Sequence, residues 1–183
     1  VLGAGPVARA LTEAYLHVRP GIRQVLLWNR TAAKVEAFAA QLQARGIEAS
    51  LVSDLDQAVG RADIIASATA SSVALIKGQY VRPGTHIDLV GGFRPDMQEA
   101  DTELVARARL FTDDRKGALN SGDLQVPLQA GLIDENCIEA DLFEICQASA
   151  PWRQPQDITL YKNAGGAHLD LTVCQCVLER LAG

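Results

Sequence analysis

The first eight residues, Val1-Leu2-Gly3-Ala4-Gly5-Pro6-Val7-Ala8, constrain the fold of this chain more than any other stretch. They read as the end of a buried strand entering a glycine-rich turn of the form Gly-x-Gly-x-x-Ala. Gly3 lets the chain turn tightly. Gly5 has no side chain, so a pyrophosphate can come close to the backbone. Ala8 is small, so the helix that follows can pack against the strand. The N–H groups opening that helix face such a phosphate, and the helix dipole favours its charge. Gly3, Gly5, Pro6, Val7 and Ala8 are therefore candidate cofactor contacts. An ordinary strand-to-helix turn has the same glycines, so the motif alone leaves both readings open.

The residues that follow have the order the first reading requires. Val7, Leu11, Tyr15 and Val18 recur at helical spacing. Arg19-Pro20-Gly21 stops that helix. Val25-Leu26-Leu27-Trp28 is a continuous apolar run, as in a strand covered on both faces. Thr31 is a candidate N-cap for a second helix with Val35, Phe38, Ala39 and Leu42 on one side. Ile47 to Val52 reads as the third strand, Ser53-Asp54 opens a short helix through Val59, and Ile64 to Ala68 is the fourth strand.

Further strands are predicted at His86 to Val90 and Arg109 to Thr112, with a helix at Leu104 to Ala108 between them. Asp113 to Lys116 reads as a solvated helix start, residues 117–135 as loop-rich, and Ile138 to Cys146 as a short helix. Pro151 to Pro155 is a break. Ile158 to Tyr161 is strand-like, and a last helix carries Leu169, Val173, Val177, Leu178 and Leu181 in one stripe. Alternating strands and helices imply α/β architecture, a Rossmann-type doubly wound parallel sheet with strand order 3-2-1-4-5-6.

In such sheets ligands sit outside the carboxyl ends of the strands. Thr69 and Ser71 follow the fourth strand and either line a cofactor cleft or cap a helix. Gly91 and Gly92 follow the fifth strand, where two glycines imply close approach of a ligand to the backbone. The second strand ends in Asn29-Arg30-Thr31, with Lys34 one turn on. A unit that binds NAD usually places a carboxylate here for the ribose 2′-hydroxyl. Arg30 can instead stack on adenine and pair with a 2′-phosphate, Thr31 can donate to that phosphate, and Lys34 adds charge. The expected cofactor is NADP(H) rather than NAD(H).

A net charge of −5 speaks against a nucleic-acid partner held by bulk electrostatics. No apolar run approaches the ~20 residues that cross a bilayer. Cys137, Cys146, Cys174 and Cys176 show no metal-binding spacing, and reduced thiols in a cytoplasmic protein are expected. His17, His86 and His168 are too scattered for a metal site. The chain begins two residues before Gly3 without a Met, which implies a strand cut short and a sequence that is a fragment.

Several segments together resemble the ornithine cyclodeaminase/mu-crystallin family over essentially the whole length. They are Gly3–Ala10, Trp28–Thr31, Ala62–Ile65, Lys77-Gly78, Val81–Ile87, Val90–Pro95 and Asp157–Gly165. The Asn-Arg-Thr turn is also similar to that of shikimate dehydrogenases, but the Pro-Gly-Thr-His and Gly-Gly-x-x-Pro segments are not. The resemblance implies a subunit that begins with a substrate-binding and dimerisation domain of about 100 residues. That domain would be missing here, and the catalytic Lys and the carboxylate-binding Arg residues lie in it. Residues 1–155 would then be the nucleotide-binding domain. Residues 156–183 would be a C-terminal segment whose helix returns to the absent domain, and the full-length protein would be a homodimer.

The family's cyclodeaminases resemble one another in carrying Asp directly after the Gly-Gly pair, where a carboxylate can act as base toward a substrate amine. This chain has Phe93. That residue fits the family's ketimine reductases and implies hydride transfer from NADPH to a small cyclic imino acid, Δ1-pyrroline-2-carboxylate or Δ1-piperideine-2-carboxylate. The products would be L-proline or L-pipecolate. By the same resemblance Val90 and Gly91 edge the nicotinamide together with Asn163, and Gly92, Phe93 and Ala164 face the substrate. Phe93 is otherwise a plain core residue. A cyclodeaminase with a displaced base and a non-enzymatic NADPH-binding, crystallin-like protein stay open as alternatives.

Overall fold

The structure, a computed structural model, describes residues 1–149 and 153–182. The break read at Pro151 to Pro155 begins outside the described residues. The strands are β1 (Gln24–Leu27), β2 (Glu48–Leu51), β3 (Ile64–Ser67), β4 (His86–Leu89), β5 (Arg109–Thr112), β6 (Ile138–Asp141) and β7 (Thr159–Lys162). The helices are α1 (Pro6–Val18), α2 (Ala33–Ala44), α3 (Leu55–Val59), α4 (Thr102–Arg107), α5 (Arg115–Leu119), α6 (Gly122–Gln129), α7 (Leu142–Gln147) and α8 (Ala167–Ala182). A 3₁₀ turn spans Gly78–Tyr80.

All strand pairings are parallel. β1 pairs with β2, and the remaining strands run β3-β4-β7-β5-β6. Leu2 joins the two sets through isolated parallel bridges to Trp28 and Ser67. Its N–H donates to the Ala66 carbonyl at 2.8 Å, and its own carbonyl accepts from Ala68 N–H at 2.9 Å. In β3, β4 and β5 the last three residues are all buried, as expected of strands covered by helices on both faces.

The predicted order holds from the third strand to the fifth and then fails. The strand at Arg109–Thr112 does not lie beside His86–Leu89, because β7 pairs with both of them. Ile87 and Leu110 each face Leu160 across the ladder, and all three are buried. The C-terminal strand supplies the middle of the core rather than an edge.

Local side-chain chemistry accounts for most of the helix starts. Asp54, Asp101, Asp114 and Asp141 each cap a helix, accepting from Gln57, Leu104, Gly117 and Glu144 N–H respectively. Asp141 and Glu144 complete a reciprocal capping box. Two sequence expectations give way here. Residues 117–135 are not loop-rich, since α5 and α6 occupy their first part and α6 buries Leu124. Ile138 to Cys146 is not one helix, because Ile138 and Ala140 point into the core on alternating positions of β6 before α7 begins.

α2 buries Val35, Phe38, Ala39 and Leu42, as its sequence predicts, against Val25, Leu27 and Ala49. Its N-cap is Ala32 rather than Thr31, whose carbonyl accepts from Lys34 N–H. On α1 the face toward the sheet is Ala8 and Thr12, while Val7 and Val18 are exposed. Small residues are needed there because a Cβ on Gly3 would come within 3.4 Å of the Ala8 Cβ. One turn further on, the Tyr15 hydroxyl donates to the Asp88 carboxylate at 3.1 Å and ties α1 to β4. α8 has no buried residue and exposes Leu171, Val173, Val177, Leu178 and Leu181. No helix among the described residues is long and apolar enough to cross a membrane.

Gly78 shows how tightly the 3₁₀ turn sits on α4, since a Cβ there would lie 2.5 Å from the Leu104 nitrogen. Gly78→Ala in the intact protein is expected to cost about 1–3 kcal/mol by urea denaturation. Gly21→Ala, whose added Cβ meets nothing within 4 Å, should stay within about 0.5 kcal/mol of the parent. Equal effects at the two positions would contradict the packing described.

Candidate functional site

Every predicted site residue lies at the carboxyl edge of the sheet or in the first turns beyond it. The glycine turn comes first. Gly3 has φ +112°, and a Cβ on it would stand 2.6 Å from the Ala68 carbonyl oxygen. The fold itself therefore requires glycine there. Gly5 differs. Its φ is an ordinary −75°, and a Cβ on it would meet no protein atom within 4 Å. Nothing in the fold forbids a side chain at Gly5, and the space in front of it is open. Pro6 occupies the first helical position of α1, and no side chain caps this helix. Val7 is half exposed and Ala8 is buried beneath the turn.

The second group follows β1. The Asn29 side-chain amide donates to the Thr31 carbonyl at 2.9 Å and shapes the turn. Arg30, Thr31 and Lys34 are exposed. The Arg30 guanidinium has no hydrogen-bond or ion-pair partner among the described residues, so it is available to an anion. A cleft of about 530 Å³ opens at the carboxyl ends of β1 and β2, lined by Trp28, Ser53, Asp54, Leu75 and Lys77. A larger cavity of about 660 Å³ runs along β1 and β3 from Arg19–Gln24 and Arg61–Ile64 to Leu2, Trp28 and Val52. Neither is lined by Gly3 to Ala8.

Thr69 and Ser71 are at the expected edge, but their hydroxyls are committed to protein atoms. Thr69 donates to Glu99 Oε1 through both its N–H, at 2.7 Å, and its Oγ1, at 2.8 Å. The Ser71 hydroxyl bridges the backbone of Val73. Neither caps a helix. Only the outer surface of this loop is left to line a cleft.

The third group is Val90 to Phe93. Val90 N–H extends the β3–β4 ladder to Ser67 O. A Cβ on Gly91 would come 2.1 Å from the Thr69 carbonyl oxygen, and one on Gly92 would come 2.2 Å from Asp123 Oδ2. Protein atoms alone therefore require glycine at both positions, independently of any ligand. Phe93 is 62% exposed and is not a core residue. Beside this turn Asn163 N–H donates to Leu89 O at 2.9 Å, and Asn163 Oδ1 accepts from Gly165 N–H.

Among the described residues, five buried charged ones escaped the sequence reading: Asp88, Glu99, Asp113, Asp123 and Lys162. Asp113 is 1% exposed, not part of a solvated helix start. Its carboxylate accepts from the N–H groups of Ala164, Gly165 and Gly166 at 2.6, 2.8 and 2.9 Å. Burial alone would raise its pKa, but the three backbone donors outweigh that and hold it below the usual carboxylate value. Lys162 ends β7 with its ammonium 3.0 Å from Asp123 Oδ2, both side chains 1% exposed. It also donates to the Gly91 carbonyl. Asp123 Oδ1 accepts from the N–H groups of Glu99 and Ala100.

Glu99 takes three donors on Oε1, the Ser67 hydroxyl and the two from Thr69. Its buried Oε2 has no partner among the described residues. Burial pushes the Glu99 pKa up. Under α1, burial likewise pushes Asp88 up to about 6, against the Tyr15 hydrogen bond. No group of three or more His, Cys, Asp or Glu among the described residues could hold a metal ion.

A doubly wound parallel sheet, opened at its carboxyl edge by a glycine turn and an uncapped helix, is a Rossmann-type unit. The chain belongs to the ornithine cyclodeaminase/mu-crystallin family, whose model matches residues 1–183. It is 45% identical to a Δ1-pyrroline-2-carboxylate reductase of Paracoccus denitrificans, over all of this chain and 58% of that protein. The solved structure of Thermococcus litoralis Δ1-pyrroline-2-carboxylate reductase in complex with NADH and L-proline superposes with a TM-score of 0.84. Its identity is 35%, covering 90% of this chain and 51% of that one. The iminosuccinate reductase of Paracoccus denitrificans in complex with NAD⁺ superposes with a TM-score of 0.89 at 31% identity, covering 97% and 54%. The chain thus spans little more than half the length of these relatives.

Asp113 provides a test of the loop that holds Asn163 and Ala164. Its folded pKa is depressed, so its contribution is present above the unfolded value of 3.8 and is lost as pH falls through the lower folded value. Asp113→Asn should lower stability at neutral pH by about 1–3 kcal/mol. The deficit should shrink as urea denaturation is repeated below pH 3.8. A deficit that does not change with pH would mean that the charge of Asp113 does not hold the loop.

Proposed function

We propose that this chain is the nucleotide-binding part of an NADPH-dependent reductase of small cyclic imino acids. The substrate class is Δ1-pyrroline-2-carboxylate or Δ1-piperideine-2-carboxylate, and the product is L-proline or L-pipecolate. The observation that carries this reading is Phe93, an exposed aromatic directly after Gly91-Gly92 at the carboxyl edge. A phenyl ring cannot move a proton, but it offers an apolar wall to a flat ring. The reductases among the similar proteins support the same chemistry. When bound, the dinucleotide supplies the hydride.

The chain's own residues bind and orient. The open space at Gly5 and the uncapped start of α1 accommodate the pyrophosphate. Arg30, Thr31 and Lys34 take the adenosine 2′-phosphate. The outer face of Thr69–Ser71, with Val90, Gly91 and Asn163, edges the nicotinamide. Gly92, Phe93 and Ala164 face the imino acid. The catalytic Lys, the carboxylate-binding Arg residues and the dimer interface are assigned to the domain preceding Val1, to which α8 turns its apolar face. Ornithine cyclodeamination is disfavoured, because it needs a base where Phe93 stands.

The experiment is to assay the full-length protein for NADPH oxidation with the two cyclic imines, and for ammonia release from ornithine. Imine-dependent oxidation with no ammonia release is the expected result, and the reverse pattern overturns the proposal. Cofactor choice is tested by titrating NADPH and NADH in parallel. Arg30→Ala should weaken NADPH about tenfold or more and NADH much less, since it removes one charge-assisted contact worth about 1.5–3 kcal/mol that only the 2′-phosphate makes. Tighter NADH binding by the parent protein would refute the assignment of the cationic turn.

A further inference from the structure

We infer that Lys162 and Asp123 form a buried clamp that fixes the position of the Gly91-Gly92-Phe93 turn, and that they act as positioning residues for the reaction at its surface. The inference rests on the proposed reductase reading for its catalytic consequence, but its structural part stands on geometry alone.

The Lys162 ammonium donates to the Gly91 carbonyl and pairs with Asp123 Oδ2 at 3.0 Å. A Cβ on Gly92 would lie 3.4 Å from that ammonium and 2.2 Å from the same Asp123 oxygen, so the turn rests directly on the pair. Asp123 is itself fixed. Its Oδ1 accepts from Glu99 N–H at 2.6 Å and Ala100 N–H at 3.1 Å, and the neighbouring Gly122 N–H donates to Gly92 O at 3.1 Å. Glu99 extends the same centre to the loop after β3 through Ser67 and Thr69. One buried cluster thus fastens two of the loops at the carboxyl edge, the glycine turn after β4 and the Thr69 loop after β3.

A role in stability alone would be met by apolar residues of the same volume, since a buried ion pair is seldom the more stable choice. What the charged pair adds is direction. The ammonium takes the Gly91 carbonyl, and the carboxylate holds that ammonium on one oxygen and the Glu99 and Ala100 N–H groups on the other, so Phe93 projects from a fixed base. Hydride transfer depends on such placement, and a displacement of about 1 Å can cost on the order of a hundredfold in rate.

The test uses the full-length protein and two variants, Lys162→Met and the double variant Lys162→Met/Asp123→Asn. The double variant removes both charges of the pair together and keeps the Oδ1 acceptor for Glu99 and Ala100, so it decides the matter if the single variant does not fold. Hydrogen exchange in the double variant should rise in the peptide covering residues 90–97 and at Gly122, with α1 and β1 unchanged. Turnover should fall by about tenfold or more while dinucleotide affinity is unchanged. Parent-like exchange at residues 90–97, or loss of protection spread through α1 and β1, would overturn the clamp. So would a double variant that regains both the thermal midpoint and the turnover of the parent. Absence of imine-dependent turnover in the parent protein counts against the reductase reading alone, since the exchange result still decides the clamp.

Discussion

Leu2 is the residue on which the sheet depends. The pairing of β1 with β2 and the five-stranded run from β3 to β6 have no direct ladder between them, and the backbone of Leu2 bridges to both. Gly3 then turns the chain out of the sheet at φ +112°, close enough to the Ala68 carbonyl that no other residue fits. These two constraints set where α1 starts. They put its uncapped N-terminus level with the carboxyl ends of β1 and β3. The open space at Gly5 follows from that placement.

Charge is distributed differently on the two sides of the edge. At the turn after β1 it is exposed and cationic, on Arg30 and Lys34. Near the Gly91 turn it is buried, as the Lys162–Asp123 pair and as Glu99 and Asp113, which accept hydrogen bonds from neighbouring N–H and hydroxyl groups. The buried groups hold backbone N–H and carbonyl groups of loops. Rigid loops on a rigid sheet are what a site for hydride transfer requires, because the reacting atoms must be held in register without help from solvent.

Much of the fold was legible because its signals are local. The glycine turn, the apolar face of α2 and the Asp54 cap each occupy a few consecutive residues with one physical meaning. The insertion of β7 between β4 and β5 was not legible, since Ile158 to Tyr161 look the same at the edge of a sheet as at its centre. Ile138–Asp141 is only four residues of alternation, too short to override a helical reading of the run through Cys146. Of the candidate site, the turn residues and Phe93 could be proposed from their neighbours in sequence. Asp113 could not, because its three partners lie 51 to 53 residues away and Asp113-Asp114-Arg115-Lys116 reads as a surface segment. Lys162, Asp123 and Glu99 were hidden for the same reason: each is a single charged residue whose burial is decided by strands and loops far along the chain.

Gly5 offers the most direct measurement of the central claim, that a dinucleotide pyrophosphate occupies the space in front of α1. An alanine at this position has an allowed φ and meets no protein atom, so Gly5→Ala should leave the thermal midpoint of the full-length protein unchanged. Titration with NADPH and with NADH should then show affinity lower by about tenfold or more for both, because the added methyl stands where the phosphates approach. Undiminished affinity in a variant that folds as well as the parent would contradict the account.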